Sequence, residues 1–235
     1  MRVAVLWGGG KDSYTAFHKA VEEGHDVACL LTFVYTEPYI FHSFLIMELQ
    51  SKALGVPLLK VKVKDPLQDI FEVLARLKKE EGIEAIVTGD IIGAGCARIH
   101  QMYYEAICEK LGIKLVMPLE NPSKNTYDVL KEEISMGLKP MITCINLDYF
   151  DENWLGRELN IHSIKELKKW VDKYGIDVCS ADGRGYHTMV IDSPLFREIV
   201  EISKFKKGII KECRRWGERS WLYMDIKEAM LRPKK

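Results

Sequence analysis

MRVAVLWGGGKDSYTAFHKA, residues 1–20, joins a continuous apolar run from Val3 to Trp7 to three glycines, then Lys11, Asp12 and Ser13, then a helical pattern. An apolar run without polar alternation reads as a strand buried on both faces. Gly8, Gly9 and Gly10 carry no Cβ, so the chain there can turn tightly and bring its N–H groups close to an anion. The helix that follows, read from Ser13 to about Glu23 and stopped by Gly24, aims unpaired N–H groups and a partial positive charge at the same place. The stretch is therefore a strand–turn–helix unit suited to holding phosphate. Lys11 adds a cation and Ser13 a donor; Asp12 fits such a site if Mg²⁺ accompanies the phosphate.

Outward from this unit the pattern repeats. DVACLLTFV is a second buried strand. A helix from about Ile40 to Leu54 is stopped by Gly55 and Pro57, and LLKVKV is a third strand. A helix from about Leu67 to Glu81, the strand EAIVTGD, the helix HQMYYEAICEKLG and the strand KLVMPL follow. This alternation predicts an α/β fold, a doubly wound, mostly parallel five-stranded Rossmann-like sheet with right-handed crossovers. After Pro118 the pattern changes to a loop (ENPSKN), a helix (TYDVLKEEISMG) and the strand PMITCIN. A helix from Ser163 to Tyr174 is next, with Ser163 as N-cap and Glu166 closing a capping box. The strands IDVC and HTMVID and a charged C-terminal region complete the chain. The expected organisation is an N-terminal domain over 1–120 and a smaller C-terminal α+β domain over 121–235.

The composition is that of an ordinary globular protein, with 47% hydrophobic and 29% charged residues. Lys+Arg and Asp+Glu number 34 each, so the chain carries no footprint for a long nucleic acid or an anionic membrane. A local basic stretch, KFKKGIIKECRR, reads as solvated surface, and Trp216 and Trp221 beside it are candidates for a partner contact. No stretch approaches the roughly 20 apolar residues of a membrane span, and the N-terminal apolar run is too short for a signal peptide, which predicts a cytoplasmic protein. The six cysteines form no C-x-x-C pair, so no zinc site or disulfide framework is signalled. Abundant charge with only Gln50, Gln68 and Gln101 as glutamines points toward a thermophilic source.

Two common phosphate motifs fail. The pattern G-x-x-x-x-G-K-[ST] needs Ser or Thr after Lys11, where Asp12 stands, and G-x-G-x-x-G needs glycine where Ser13 stands. The turn instead resembles S-G-G-x-D-S, the pyrophosphate loop of the N-type ATP pyrophosphatases, with Gly8 in place of the serine. FHSFLIMELQSKALGVPL, IVTGDI, YYEAICEKLGIKLVMPL, ENWLGREL and DGRGYHTMVIDSPLF resemble segments of the diphthine–ammonia ligase family within that superfamily. The family's C-terminal signature carries two glutamates where this chain has Asp182 and Gly185.

The resemblance implies an adenine nucleotide alpha hydrolase-like fold and an ATP-dependent, AMP-forming ligase. It would adenylate a carboxylate and pass it to ammonia, converting diphthine to diphthamide on elongation factor 2. The changes at Asp182 and Gly185 keep a small-molecule carboxylate open as acceptor. A tRNA-modifying enzyme and a nucleotide sensor are the other readings. The implied nucleotide site comprises Gly8, Gly9, Gly10, Lys11, Asp12, Ser13, Gly89 and Asp90, with Asp12 as the Mg²⁺ ligand. Lys11, Asp12, Asp182 and His187 are the catalytic candidates. His42, Arg98, Trp154, Arg157, Tyr186 and Thr188 are the acceptor-side candidates. Free ammonia is the expected nitrogen source, and a homodimer is a candidate assembly.

Overall fold

A computed structural model describes residues 1–35, 41–91, 97–120, 124–175, 185–214 and 217–234; at 97–100, 171, 212–214 and 217–218 it describes the backbone alone. β1 (Arg2–Leu6), β2 (Asp26–Val34), β3 (Leu58–Lys62), β4 (Ala85–Val87) and β5 (Lys114–Val116) form one sheet in the order β3-β2-β1-β4-β5. Every pairing in it is parallel. The expected doubly wound fold is thus the observed one.

The helices α1 (Lys11–Glu22), α2 (Phe44–Leu54), α3 (Pro66–Glu81) and α4 (Ala97–Leu111) cover both faces. Alternate strand residues serve the two sides. Val3 and Val5 pack with Phe17, Ile46 and Met47, while Ala4 packs with Leu74, Leu77 and Ile107. α3 begins with Pro66 behind Asp65, whose carboxylate accepts from Gln68 N at 3.2 Å, and ends at Gly82 in the left-handed conformation. These are the ordinary start and stop devices of a helix.

The second sheet is antiparallel, in the order β7-β6-β9-β8, from β6 (Lys139–Asn146), β7 (Tyr186–Asp192), β8 (Glu198–Arg214) and β9 (Gly217–Pro233). One face joins the first sheet's core, where Met189, Val190, Phe196 and Val200 meet Trp7, Tyr14 and Met47. The other face packs with Ile145 and Leu222 under α5 (Thr126–Ser135) and α6 (Ile161–Tyr174).

Two expectations are corrected. α6 starts at Ile161, and Asn160 serves its first turn: Asn160 Oδ1 accepts from His162 N and Ser163 N at 3.0 and 3.1 Å. Glu166 makes no capping box, because Arg157 holds its carboxylate. The charged C-terminal region is a hairpin of two 17-residue strands, its Lys and Glu side chains pairing across the ladder, as Lys204 does with Glu228 at 2.8 Å. The strand expected at IDVC lies outside the described residues.

Candidate functional site

β1 runs outward to β2 and β3 on one side and to β4 and β5 on the other, so the strand order reverses between β1 and β4. Ligands of open parallel sheets bind at the C-terminal side of such a point. Here a cleft of about 280 Å³ opens there, lined among others by Gly8, Gly10, Asp12, Ser13, Tyr35, His42, Gly89 and Asp90.

Its floor is the glycine turn. Gly9 adopts φ +73°, and a Cβ there would lie 2.6 Å from Gln50 Oε1 and 2.7 Å from Met189 Cε. Only glycine fits without displacing both. Gln50, fully buried on α2, braces the turn: Nε2 donates to Gly9 O and to Val190 O, both at 2.8 Å, and Oε1 accepts from Trp7 Nε1 at 3.1 Å. β7 braces it from the other side, with Val190 N donating to Gly9 O at 2.9 Å and Lys11 N donating to Thr188 Oγ1 at 3.2 Å. The Gly9 carbonyl thus points into the protein. The N–H groups of Gly8, Gly10, Asp12 and Ser13 find no acceptor among the described residues. Together with the first turn of α1 they form a cradle for an anion.

Gly89 follows β4 in direct contact with this cradle. A Cβ there would stand 2.6 Å from the carbonyl carbon and oxygen of Asp12 and 2.8 Å from Ser13 N. The next residue, Asp90, faces the cleft; its carboxylate accepts from Thr88 Oγ1, which in turn accepts from Asp90 N at 3.1 Å. Ser13 Oγ donates to Gly10 O at 3.1 Å, and the N-cap position belongs to Gly10, so Ser13 does not cap α1.

Lys11 is corrected as a phosphate-facing cation. Its side chain is only 2% exposed and absent from the cleft lining, because it turns inward to two carboxylates. Lys11 Nζ lies 2.5 Å from Asp12 Oδ1 and 3.3 Å from Glu133 Oε2. Glu133, on α5 and fully buried, was missed in the sequence, where it reads as one more charge in KEE. Burial pushes its carboxyl well above the ordinary carboxylate range; Lys11 opposes this rise and Asp12 adds to it.

The acceptor-side candidates divide. His42 lines the cleft with its ring beside Gly8 and Gly10, and burial lowers its pKa to about 4. Its ring stands edge-on to that of His187 at 5.3 Å. Thr188 reaches the turn, whereas Tyr186 points to the opposite face, packing edge-on against Phe150 at 5.9 Å. Trp154 and Arg157 are corrected as cleft residues. Trp154 is buried in the core under α5 and α6. Arg157 lies over its ring at 4.1 Å while forking onto Glu166. Arg98 lies on α4 where the backbone alone is described, and Asp182 lies outside the described residues.

The fold and its site are those of a Rossmann-like α/β protein with an anion cradle at the sheet's switch point. The family model described as the diphthamide synthase N-terminal domain matches residues 1–115, and the one described as the C-terminal domain matches residues 125–231. The chain belongs to the diphthamide synthase family and, with it, to the ATP-dependent ligases. Among its curated relatives, the diphthine–ammonia ligase of Homo sapiens is 27% identical over 229 residues, covering 84% of this chain and 81% of its own. That of Danio rerio is 24% identical over 235 residues, covering 86% of each. A solved structure, that of a predicted subunit of tRNA methyltransferase from Methanocaldococcus jannaschii, aligns with a TM-score of 0.42 at 13% identity, covering 83% of this chain and 98% of that one. Among the described residues no helix is long and apolar enough to cross a membrane.

Proposed function

We propose that the chain binds ATP in this cleft and amidates the diphthine carboxylate of elongation factor 2 with ammonia, releasing AMP and pyrophosphate. The observation that carries the reading is the cradle: unsatisfied N–H groups of Gly8, Gly10, Asp12 and Ser13 gathered at a helix N-terminus beside an open cleft. Such a cradle suits the β and γ phosphates, leaving the α-phosphorus toward the mouth. Leu31, Phe33, Tyr35 and Tyr104 offer apolar surface for the base.

A carboxylate cannot be attacked directly by ammonia, because oxide would have to leave. In the proposed sequence one carboxylate oxygen bonds to the α-phosphorus as the bond to the pyrophosphate breaks. Ammonia nitrogen then bonds to the acyl carbon, AMP departs and one proton of the ammonia is lost to the medium. The protein's part is to hold the reactants in line and offset the charge of the departing pyrophosphate. The helix N-terminus and turn amides serve the second need. Asp12 and Asp90, both lining the cleft, are hard oxygen donors of the kind Mg²⁺ takes alongside phosphate. Among the described residues no group of three metal-ligating side chains exists. Mg²⁺ there would supply charge screening.

The division of labour we propose assigns the nucleotide to residues 1–120 and acceptor handling to 121–235. Incubation of the protein with diphthine-bearing elongation factor 2, ATP, Mg²⁺ and ammonium, followed by mass measurement of the factor, tests it. The expected result is exchange of one hydroxyl for one amino group with one pyrophosphate released per exchange. An unchanged factor overturns the acceptor assignment, and absence of ATP binding overturns the site.

A further inference from the structure

Glu133 is a buried acidic side chain that neither the cradle nor the proposed reaction uses. It belongs to α5, which lies against α1. Lys11 and Lys19, eight residues apart, share the face of α1 turned toward α5. Two consecutive residues of α5 reach them. Glu132 Oε1 pairs with Lys19 Nζ at 2.8 Å, and Glu133 Oε2 stands 3.3 Å from Lys11 Nζ. The second oxygen of Glu132 is held by Lys124 at 2.6 Å, so α5 is fastened to α1 where Glu133 needs it.

The contact between Lys11 and Asp12 is not a product of helix geometry. Neighbouring residues of a helix point about 100° apart and do not face each other. Lys11 Nζ and Asp12 Oδ1 nonetheless meet at 2.5 Å. The side chains of Glu133, Lys11 and Asp12 are 0%, 2% and 29% exposed, so the three form a row from the interior to the cleft wall. Glu133 anchors the ammonium at the inner end, and Asp12 bends back to it through one oxygen while still lining the cleft. Without Glu133 the buried ammonium would lose one of its two carboxylates, an unfavourable state for a charge out of water. Its flexible four-carbon stem would let it follow Asp12 to the water of the cleft. A cation lodged there competes with Mg²⁺ for the same carboxylate.

We propose that Glu133 is a positioning residue for the nucleotide's metal: it retains the Lys11 ammonium inside the protein, so that Asp12 turns one oxygen inward and keeps the other for Mg²⁺. The inference rests on the Mg²⁺ and ATP part of the proposed function, and it names the residue that keeps the metal position clear. A helix of the C-terminal half thereby governs a ligand of the N-terminal half.

Calorimetric titration of the full-length protein with ATP, once in excess Mg²⁺ and once in EDTA, gives the ratio of the two affinities with no acceptor present. The wild type is expected to favour the Mg²⁺ complex. Glu133→Met, similar in length and without a charge, is expected to lower the ratio about tenfold or more, as loss of a metal ligand's supporting partner does. The metal-free affinity should hold or rise, since a released ammonium can meet phosphate. Glu133→Gln keeps an acceptor for Lys11 and should restore most of the ratio. Glu133→Asp, whose shorter stem withdraws the acceptor, should lower it in the same direction, and it decides the matter if Glu133→Met fails to fold. An unchanged ratio in the folded variant, an equal fall of both affinities, or no rescue in Glu133→Gln overturns the role. A wild type indifferent to Mg²⁺ overturns it together with the metal assignment of Asp12. If the ratios behave as expected while elongation factor 2 is not amidated, the acceptor reading fails and the role of Glu133 stands. Amidation by the wild type with a ratio unmoved by substitution has the opposite meaning.

Discussion

The side-chain amide of Gln50 donates to Gly9 O and Val190 O at once, each at 2.8 Å, and so ties the glycine turn to a strand of the other sheet. Gln50→Leu would leave Val190 O and Trp7 Nε1 buried without this partner. The expected cost is about 2–4 kcal/mol, read as a lower urea midpoint with an unchanged slope. ATP affinity should fall with it, because the turn loses one of its two braces.

Gly89 is a steric requirement. Any side chain there collides with the backbone of Asp12 and Ser13 rather than with a movable group. Gly89→Ala should cost about 1–3 kcal/mol by displacing β4 from α1. Calorimetry should show ATP binding weakened at least as much as stability, since the displaced backbone carries the cradle N–H groups.

Glu133 makes the stability of the nucleotide-free protein pH-dependent in a defined direction. Its carboxyl is raised by burial, so between the ordinary carboxylate range and its raised value the folded chain keeps a proton that the unfolded chain has released. The stability from this group is fully present below the unfolded pKa and is lost as pH rises through the folded one. Glu133→Gln, which mimics the protonated form, should flatten that decline in thermal melts. Glu133→Ala should destabilise at every pH by opening a cavity, by about 2–4 kcal/mol.

Asp12→Asn separates two roles. Asp12 faces both Lys11 and the cleft. If its carboxylate serves Mg²⁺ and phosphate, pyrophosphate release should fall about a hundredfold or more, while the melting temperature falls separately as buried Lys11 loses one of its two carboxylate partners. Ser13→Ala should do much less, because Ser13 Oγ is already bonded to Gly10 O.

The glycine turn, the five parallel strands and their helices were legible because they rest on local rules: continuous apolar runs, glycines at helix ends, a 3.6-residue period. What was not legible depends on partners far along the chain. Lys11 reads as a phosphate contact until α5 brings Glu133 beside it. Nothing local marks Gln50 as the brace of a turn 41 residues away. Arg157 and Trp154 sit in a motif, yet the structure pairs them with Glu166 and with each other. Ser163 satisfied the capping pattern, and Asn160, three residues earlier, took the role. The C-terminal hairpin is hidden by its charges, which mask the alternation of core-facing Val200 and Ile202 with exposed Glu201 between them.

Gly9 O receives hydrogen bonds from α2 through Gln50 and from β7 through Val190, so one carbonyl is a clasp shared by both halves of the molecule. Prying the halves apart would spoil the turn, and a ligand that freezes the turn must by linkage resist the prying. A nucleotide held there acts as a rivet. The joint should survive shear and protease best when ATP is plentiful, the two halves then moving as one piece.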